Sequence, residues 1–136
     1  NGQPPLIFED GEQRRDFVHV GDVARAFRAA LERPDVAGAV VNVGSGRSYS
    51  VKQVAELLAN AMGSDIRPEI LRKARAGDIR NCFADIGRAR TLLGFEPQHP
   101  LETSLGELAA WVETAEAKTD RAAEMRQALE ARGLGA

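Results

Sequence analysis

The chain has 136 residues, of which 43% are hydrophobic and 28% charged, a composition typical of a globular protein. Its 18 basic and 20 acidic residues give a formal charge of −2, which argues against nucleic acid or an anionic membrane as a partner. Cys82 is the only cysteine and there are two histidines, so an internal disulfide is excluded and a metal site is not expected. Neither a long apolar run nor a charged leader is visible, which predicts a cytoplasmic protein.

The first part of the chain predicts a β-hairpin or paired strand ends, followed by a helix. The apolar residues 6–8 precede the turn signal Asp10-Gly11, after which residues 13–20 return as a second strand. From Asp22 onward apolar residues recur at helical spacing until Pro34. The positions expected on the buried face of this helix are Val23, Phe27, Ala30 and Leu31.

The middle of the chain predicts a strand and a second helix. Residues 39–43 read Ala-Val-Val-Asn-Val, a continuous run typical of a parallel strand that is covered on both faces. Ser50 followed three residues later by Gln53 is a capping-box pattern, and Gly63 marks the end of the helix that follows.

The remainder predicts one more strand at 67–71, a loop at 72–81 and two further helices. The first of these helices begins near Asp85 and ends at Gly94, and the second begins at Leu101. A helical tail with a narrow apolar stripe follows from residue 113. Short strands that alternate with helices indicate an α/β fold.

Two arginine-bearing segments are candidates for anion binding. Arg15 lies in a predicted strand, where its guanidinium needs little further ordering to bind a phosphate, although an ion pair with Asp16 or Glu12 is the alternative. Arg75 and Asp78 flank Gly77, which permits close approach of a ligand to the backbone. Residues 67–90 contain seven basic and three acidic residues, so this segment predicts either a small anion site or a solvated basic loop.

The other polar motifs give weaker evidence for cofactor binding or catalysis. The loop Gly44-Ser45-Gly46 follows a predicted strand, but the third glycine of a dinucleotide-binding loop is replaced by Tyr49. Tyr49 has Gln53 rather than lysine four residues later, so it is not expected to be catalytic. His19 and Cys82 have no recognisable catalytic partner.

Four segments in order resemble the carboxy-terminal part of the NAD-dependent nucleotide-sugar epimerase/dehydratase family, the extended short-chain dehydrogenases. Within this family, the sequence of these segments is most similar to UDP-glucose and dTDP-rhamnose 4-epimerases. The resemblance covers residues 1–112, taken as a substrate-binding portion, and leaves 113–136 as the helical tail. The matching segments are Asp10-Gly11-x-Gln13-x-Arg15-Asp16-Phe17-Val18-His19-Val20-x-Asp22-Val23, Asn42-Val43-Gly44-Ser45-Gly46, Arg75-x-Gly77-Asp78, and Ala84-Asp85 with Leu93-Gly94-Phe95-x-Pro97.

This resemblance implies an α/β fold, the substrate-binding portion of an extended Rossmann-type short-chain dehydrogenase. It also implies site roles: Arg15 and Arg75 grip the substrate diphosphate, Asp78 lies near the ribose and Val51 contacts the base. The implied ligand is a nucleotide-diphosphate sugar, and a homodimer of the intact enzyme stays open.

The family's glycine-rich dinucleotide loop and its tyrosine-x-x-x-lysine pair do not occur in these residues. The resemblance therefore implies NAD for the intact enzyme but no bound cofactor and no catalytic residue in this chain alone. The hypothesis is a nucleotide-sugar-binding half of a 4-epimerase. Two alternatives are a part of a sugar-nucleotide 4,6-dehydratase and a non-catalytic module that binds a nucleotide or a partner.

Overall fold

The computed structural model describes residues 2–115 and 121–133, which form short strands interspersed with helices. The α/β class is confirmed. By contacts the chain separates into two compact units, and each is built from separated stretches of sequence. The first unit comprises Asn1–Gln13, Ser50–Arg80 and Gly106–Ala136, and the second comprises Arg14–Tyr49 and Asn81–Leu105.

The first unit contains a pair of parallel strands. Strand β1 (Leu6–Ile7) pairs with β4 (Glu69–Ile70), with Leu6 opposite Glu69. The amide of Leu71 donates to the carbonyl of Ile7 at 2.8 Å, which extends the pairing beyond the strand ends. The predicted strand at 67–71 is therefore confirmed.

Helix α2 (Val51–Ala61) of the first unit begins where the sequence predicts. The Ser50 hydroxyl accepts from the Gln53 amide, and the Gln53 side chain accepts from the Ser50 amide, which completes the capping box. Gly63 follows the helix with a φ of 61°, a left-handed conformation that glycine adopts without strain.

The second unit joins strand β2 (Arg14–Arg15) in parallel to β5 (Asn81–Cys82). Its helices are α1 (Val20–Leu31) and α3 (Gly87–Leu93), with a short 3₁₀ helix at Pro34–Val36. The core lies where α1 meets α3. The buried residues of this core are Ala26, Ile86, Ala89, Leu93 and Phe95.

Three elements fall at the ends or boundaries of the units. Strand β3 covers Tyr49–Ser50, α4 covers Leu101–Thr114 and α5 covers Ala122–Ala131. The helix predicted from Leu101 is confirmed. Residues 116–120 and 134–136 of the tail lie outside the described part of the chain, and the division at residue 112 stays a prediction.

The predicted hairpin is wrong. Residues 6–7 and 14–15 each pair in parallel with a strand from much later in the sequence rather than returning on each other. Asp10-Gly11 still makes a turn, because the Gly11 amide donates to the Phe8 carbonyl at 3.3 Å and Gly11 has a φ of 80°. A local turn signal does not establish which strands pair.

The face of α1 also differs from the prediction. Phe27 and Leu31 are 69% and 87% exposed, whereas Ala26 is 3% exposed and packs in the core. Alanine lets the α1 backbone approach α3 closely, so the smaller side chains occupy the interface. The helix itself is confirmed, and it starts two residues before Asp22 with His19 as its N-cap.

The strand predicted at residues 39–43 is wrong, because the structure has no strand in this segment. Val40 is 77% exposed, while Val41 and Val43 are partly buried against the core of the second unit. Exposure alternates along this segment with a period of two, so one face is covered and the other faces solvent. The apolar run does not distinguish this arrangement from a strand buried on both sides.

Helix α3 ends as the glycine signal predicts, since Gly94 has a φ of 63° and its amide donates to the carbonyl of Arg90 at 3.0 Å. Asp85 accepts from the Gly87 amide at 2.8 Å. The carboxylate therefore stabilises the start of α3 from a position just ahead of the N-cap, Ile86.

Candidate functional site

The carboxyl ends of β1 and β4 carry two residues in left-handed backbone conformation, Glu9 with a φ of 52° and Arg72 with a φ of 56°. Backbone hydrogen bonds connect the two segments that follow these strands. The Arg72 amide donates to the Glu9 carbonyl at 3.0 Å, and the Glu9 amide donates to the Lys73 carbonyl at 2.9 Å. Non-glycine residues occupy this region at an energetic cost that the surrounding structure must offset. The loop after β4 is thereby fixed at the edge of the sheet where parallel α/β folds bind ligands.

Arg75 lies in that loop and its guanidinium is held from two sides. Its Nε lies 2.9 Å from Oδ2 of Asp78, and its Cζ stacks 4.6 Å from the centre of the Phe8 ring. Gly77 supplies the turn between the two, with a φ of 88°, and the Asp78 amide donates to the Arg75 carbonyl at 3.1 Å. The Arg75 side chain is 43% exposed, so it is ordered without being buried.

Arg75 also lines a cavity of about 350 Å³ within the first unit. The strand β1 side of the cavity is apolar and includes Leu6 and Phe8. A volume of this order accommodates part of a small-molecule ligand, and the combination of apolar walls with a fixed cation suits a ligand that has both a ring and an anionic group.

Most of the basic surplus of residues 67–90 is neutralised by acids from outside that segment. Arg80 contacts both carboxylate oxygens of Asp10, at 2.6 and 2.8 Å, and Glu9 at 3.0 Å. The hydrogen bonds from Arg80 hold the pKa of the Asp10 carboxyl well below its usual range. Lys73 lies 3.4 Å from Glu130. Sequence counting missed these pairs because their partners are distant along the chain.

Val51 is the first residue of α2 and is partly buried. Its amide donates to the Gln13 carbonyl at 3.0 Å, and Gln13 is itself 4% exposed, with its side-chain nitrogen donating to Phe8 at 2.9 Å. Val51, Arg75 and Asp78 thus belong to the same unit. The predicted contact of Val51 with the base of the nucleotide stays a prediction.

Arg15 belongs to the second unit. It lies on β2 in register with Cys82, and its Nη1 donates to the Arg14 carbonyl at 2.8 Å. Asp16, one alternative partner for Arg15, accepts from the Ser45 amide at 2.7 Å. The structure brings Arg75 and Asp78 into direct contact, and the convergence of Arg15 with them on one diphosphate stays a prediction.

The Gly44-Ser45-Gly46 loop is closed by protein groups. A Cβ on Gly44 would lie 2.6 Å from Oδ2 of Asp16 and 2.6 Å from Cβ of Ala84. The glycine is therefore required by packing, and the loop amide at Ser45 is already used by Asp16. A carboxylate at this position is unfavourable for a phosphate, so this loop does not fit a dinucleotide.

A buried carboxylate that sequence reasoning did not single out lies in the second unit. Asp22 is 1% exposed and accepts from the backbone amides of Gln98 and His99 at 3.1 Å and from Nδ1 of His99 at 2.8 Å. The ring of His99 stacks on His19 with centroids 4.4 Å apart. Both histidines therefore serve local structure around the start of α1.

Tyr49 is buried and donates its hydroxyl hydrogen bond to Oε1 of Glu102 at 2.9 Å. Burial and this hydrogen bond raise the pKa of Tyr49 above its usual 10.0. Within residues 2–115 and 121–133 no cluster of three His, Cys, Asp or Glu side chains suited to a metal ion is present. None of the helices in this part of the chain is long and apolar enough to cross a membrane.

Comparison with known proteins agrees with the architecture. The family model described as the NAD dependent epimerase/dehydratase family matches residues 1–44. The dTDP-L-rhamnose 4-epimerase of Burkholderia thailandensis is 36% identical over 106 residues, 78% of this chain and 29% of that protein. The structure of a UDP-glucose 4-epimerase with UDP-glucose from Thermotoga maritima is 37% identical with a TM-score of 0.75, over 82% of this chain and 35% of that one.

A UDP-glucuronic acid 4-epimerase from Bacillus cereus, in complex with NAD, gives a TM-score of 0.70 at 29% identity, again over 82% of this chain and 35% of that one. These likenesses define an α/β protein of the extended short-chain dehydrogenase class, and the covered share is consistent with a C-terminal portion. Within that class the chain is similar to members of the NAD-dependent epimerase/dehydratase family. It spans about a third of the length of the relatives it matches.

Proposed function

We propose that this chain is the nucleotide-sugar-binding portion of an NAD-dependent sugar-nucleotide 4-epimerase, and that Arg15 and Arg75 bind the substrate diphosphate. The observation that carries the proposal is the fixed guanidinium of Arg75 at the carboxyl edge of β1 and β4. The names of the relatives support the substrate class, because they include epimerases of UDP-glucose and of dTDP-L-rhamnose.

The geometry of Arg75 suits a phosphate. Its pairing with Asp78 uses Nε, and Phe8 contacts the face of the guanidinium. Within residues 2–115 and 121–133, its two Nη groups form no hydrogen bond. Two N–H groups of a guanidinium bind two phosphate oxygens in parallel, and holding the fork in place beforehand lowers the entropy cost of binding.

Arg15 supplies the second charge in this proposal. Because it lies on a strand and one of its Nη groups is bonded to the Arg14 carbonyl, part of its side-chain entropy is already lost before ligand binds. A diphosphate spreads its charge over two phosphorus centres, which two separate guanidinium groups neutralise better than one.

Asp78 and Val51 complete the proposed contacts. The carboxylate of Asp78 accepts from Arg75 through Oδ2, and a ribose hydroxyl would donate to the other oxygen. Val51, partly buried at the start of α2, would pack against the base. Asp78 therefore both orients Arg75 and binds ligand.

The Gly44-Ser45-Gly46 loop does not fit NAD, since it is filled by packing and faces the carboxylate of Asp16. We therefore assign no step of hydride transfer to the residues of this chain. Their contribution to epimerisation is to hold the nucleotide end of the substrate while the sugar reacts, and the epimerase activity belongs to the whole family member.

Calorimetric titration of the protein with UDP and dTDP tests the proposal. Arg15→Ala and Arg75→Ala should each raise the dissociation constant about 10- to 100-fold, because each removes charge-assisted hydrogen bonds of about 1.5–3 kcal/mol. The control is Arg28→Ala, an exposed arginine of α1 that pairs with Glu32 at 2.9 Å. Unchanged binding in both site variants, with unchanged circular dichroism, would remove the proposed site.

A further inference from the structure

We propose that the C-terminal helix α5 forms one wall of the nucleotide pocket, and that Arg126 on this helix is a further cation for the anionic part of the ligand. This inference rests on the proposed function above and extends it to residues outside the family motifs. The ligand class is the nucleoside diphosphate end of the substrate.

The cavity beside Arg75 has walls from two parts of the first unit. Residues 3–6 and Phe8 line the cavity, and α5 contributes Ala122, Met125, Arg126 and Leu129. These four positions recur at intervals of three and four, so they lie on one face of the helix. The narrow apolar stripe predicted for the tail therefore borders the cavity of Arg75.

The α5 wall leaves apolar surface exposed to solvent. Met125 is 66% exposed although it lines the cavity. A ring of a bound nucleoside would remove this thioether and the neighbouring Leu129 from water, which is favourable in proportion to the area covered. Methionine is well suited to such a contact because its side chain adapts to planar ligands.

The charges of the cavity select an anion. Its lining contains two cations, Arg75 and Arg126, and no carboxylate. Arg126 is only loosely compensated, since its Nε lies 3.9 Å from Oε1 of Glu130, and Glu130 is shared with Lys73 at 3.4 Å. A phosphate would therefore compete successfully for the Arg126 guanidinium.

The pair of Lys73 and Glu130 also links α5 to the loop that carries Arg75. Lys73 lies two positions before Arg75, and Glu130 lies one helical turn after Arg126. The two cations of the cavity are thus attached to segments that contact each other directly. We expect ligand binding to order α5 together with this loop.

Titration of the protein with UDP and with inorganic pyrophosphate tests the inference. Arg126→Gln should weaken both ligands about tenfold, whereas Met125→Gln should weaken UDP and leave pyrophosphate unchanged. The matched control is Arg132→Gln, at the C-cap of the same helix and outside the cavity, which should change either affinity less than about twofold.

The outcomes separate the two proposals. If Arg75→Ala loses UDP binding while Arg126→Gln and Met125→Gln bind as the wild type does, the role of α5 is refuted and the diphosphate site stands. If Arg15→Ala and Arg75→Ala also bind normally, both proposals fail. Hydrogen exchange gives a readout on the unaltered chain: saturating UDP should slow exchange of the α5 amides, and unchanged exchange would overturn the inference.

Discussion

Asp22 offers the sharpest test of how the second unit is held together. It is 1% exposed, and it accepts hydrogen bonds from the amides of Gln98 and His99 and from the His99 ring, besides an ion pair with Arg25 at 3.1 Å. Asp22→Ala removes all of these acceptors at once. The segment that leads into α4 then loses its connection to α1.

The size of the expected loss in unfolding free energy depends on which of these donors can bind water once the carboxylate is removed. The side chains of Arg25 and His99 are 34% and 43% exposed, so solvent replaces much of what they lose. The two backbone amides lose an acceptor that is only 1% exposed, and a donor left unsatisfied costs about 1–3 kcal/mol. We therefore expect Asp22→Ala to lower the free energy of unfolding by about 3 kcal/mol.

Urea denaturation followed by far-ultraviolet circular dichroism measures this loss. The control is Asp35→Ala in the exposed 3₁₀ helix, which should change the free energy of unfolding by less than about 0.5 kcal/mol. A loss below about 1 kcal/mol for Asp22→Ala would refute the reasoning, because it would mean that the two amides find water or other partners.

The pH dependence gives a second test of the same carboxylate. Burial by itself raises the pKa of Asp22, but the hydrogen bonds from His99 and Gln98 outweigh it and leave the pKa below its usual value. Its stabilising contribution is therefore present above the unfolded pKa of about 4 and is lost as pH falls through the folded pKa. The difference between the wild type and Asp22→Ala should shrink below about pH 4, and a constant difference would contradict the assignment.

Two further predictions concern packing and ionisation in the second unit. Gly44→Ala should destabilise the fold by about 1–3 kcal/mol because its Cβ would collide with Asp16, whereas Gly106→Ala in open space within α4 should be neutral or stabilising, as thermal unfolding would show. Tyr49 is the only tyrosine, so absorbance titration reports it alone; its midpoint should lie above pH 10.0 and fall in Glu102→Gln, and an ordinary midpoint in the wild type would contradict the observed burial.

Features encoded by neighbouring residues were predictable from the sequence. The capping box of Ser50 and Gln53 and the glycine that ends α3 at Gly94 each require only a few adjacent positions, and both form as predicted. The pairing of Arg75 with Asp78 is likewise local, since Gly77 makes the turn between them. Neighbouring residues therefore account for these helix ends and for the contact between Arg75 and Asp78.

Features that depend on distant residues were not predictable in this way. The apolar run at 39–43 does not reveal that only one of its faces is covered, because that depends on which elements pack against it. The acids that neutralise Arg80 precede it by about 70 positions, and the donors to Asp22 follow it by a similar interval. Spacing along the chain carries no information about such contacts.

The parallel pairing of the strands has a kinetic consequence. Roughly 60 residues separate β1 from β4 and β2 from β5 along the sequence. Neither pair of strands can form its stabilising hydrogen bonds until a long loop has closed. During synthesis, β2 has to wait for Asn81–Cys82 to leave the ribosome before it acquires that neighbour. We expect a high contact order and slow folding, with α2 and α1 forming well before either pair of strands.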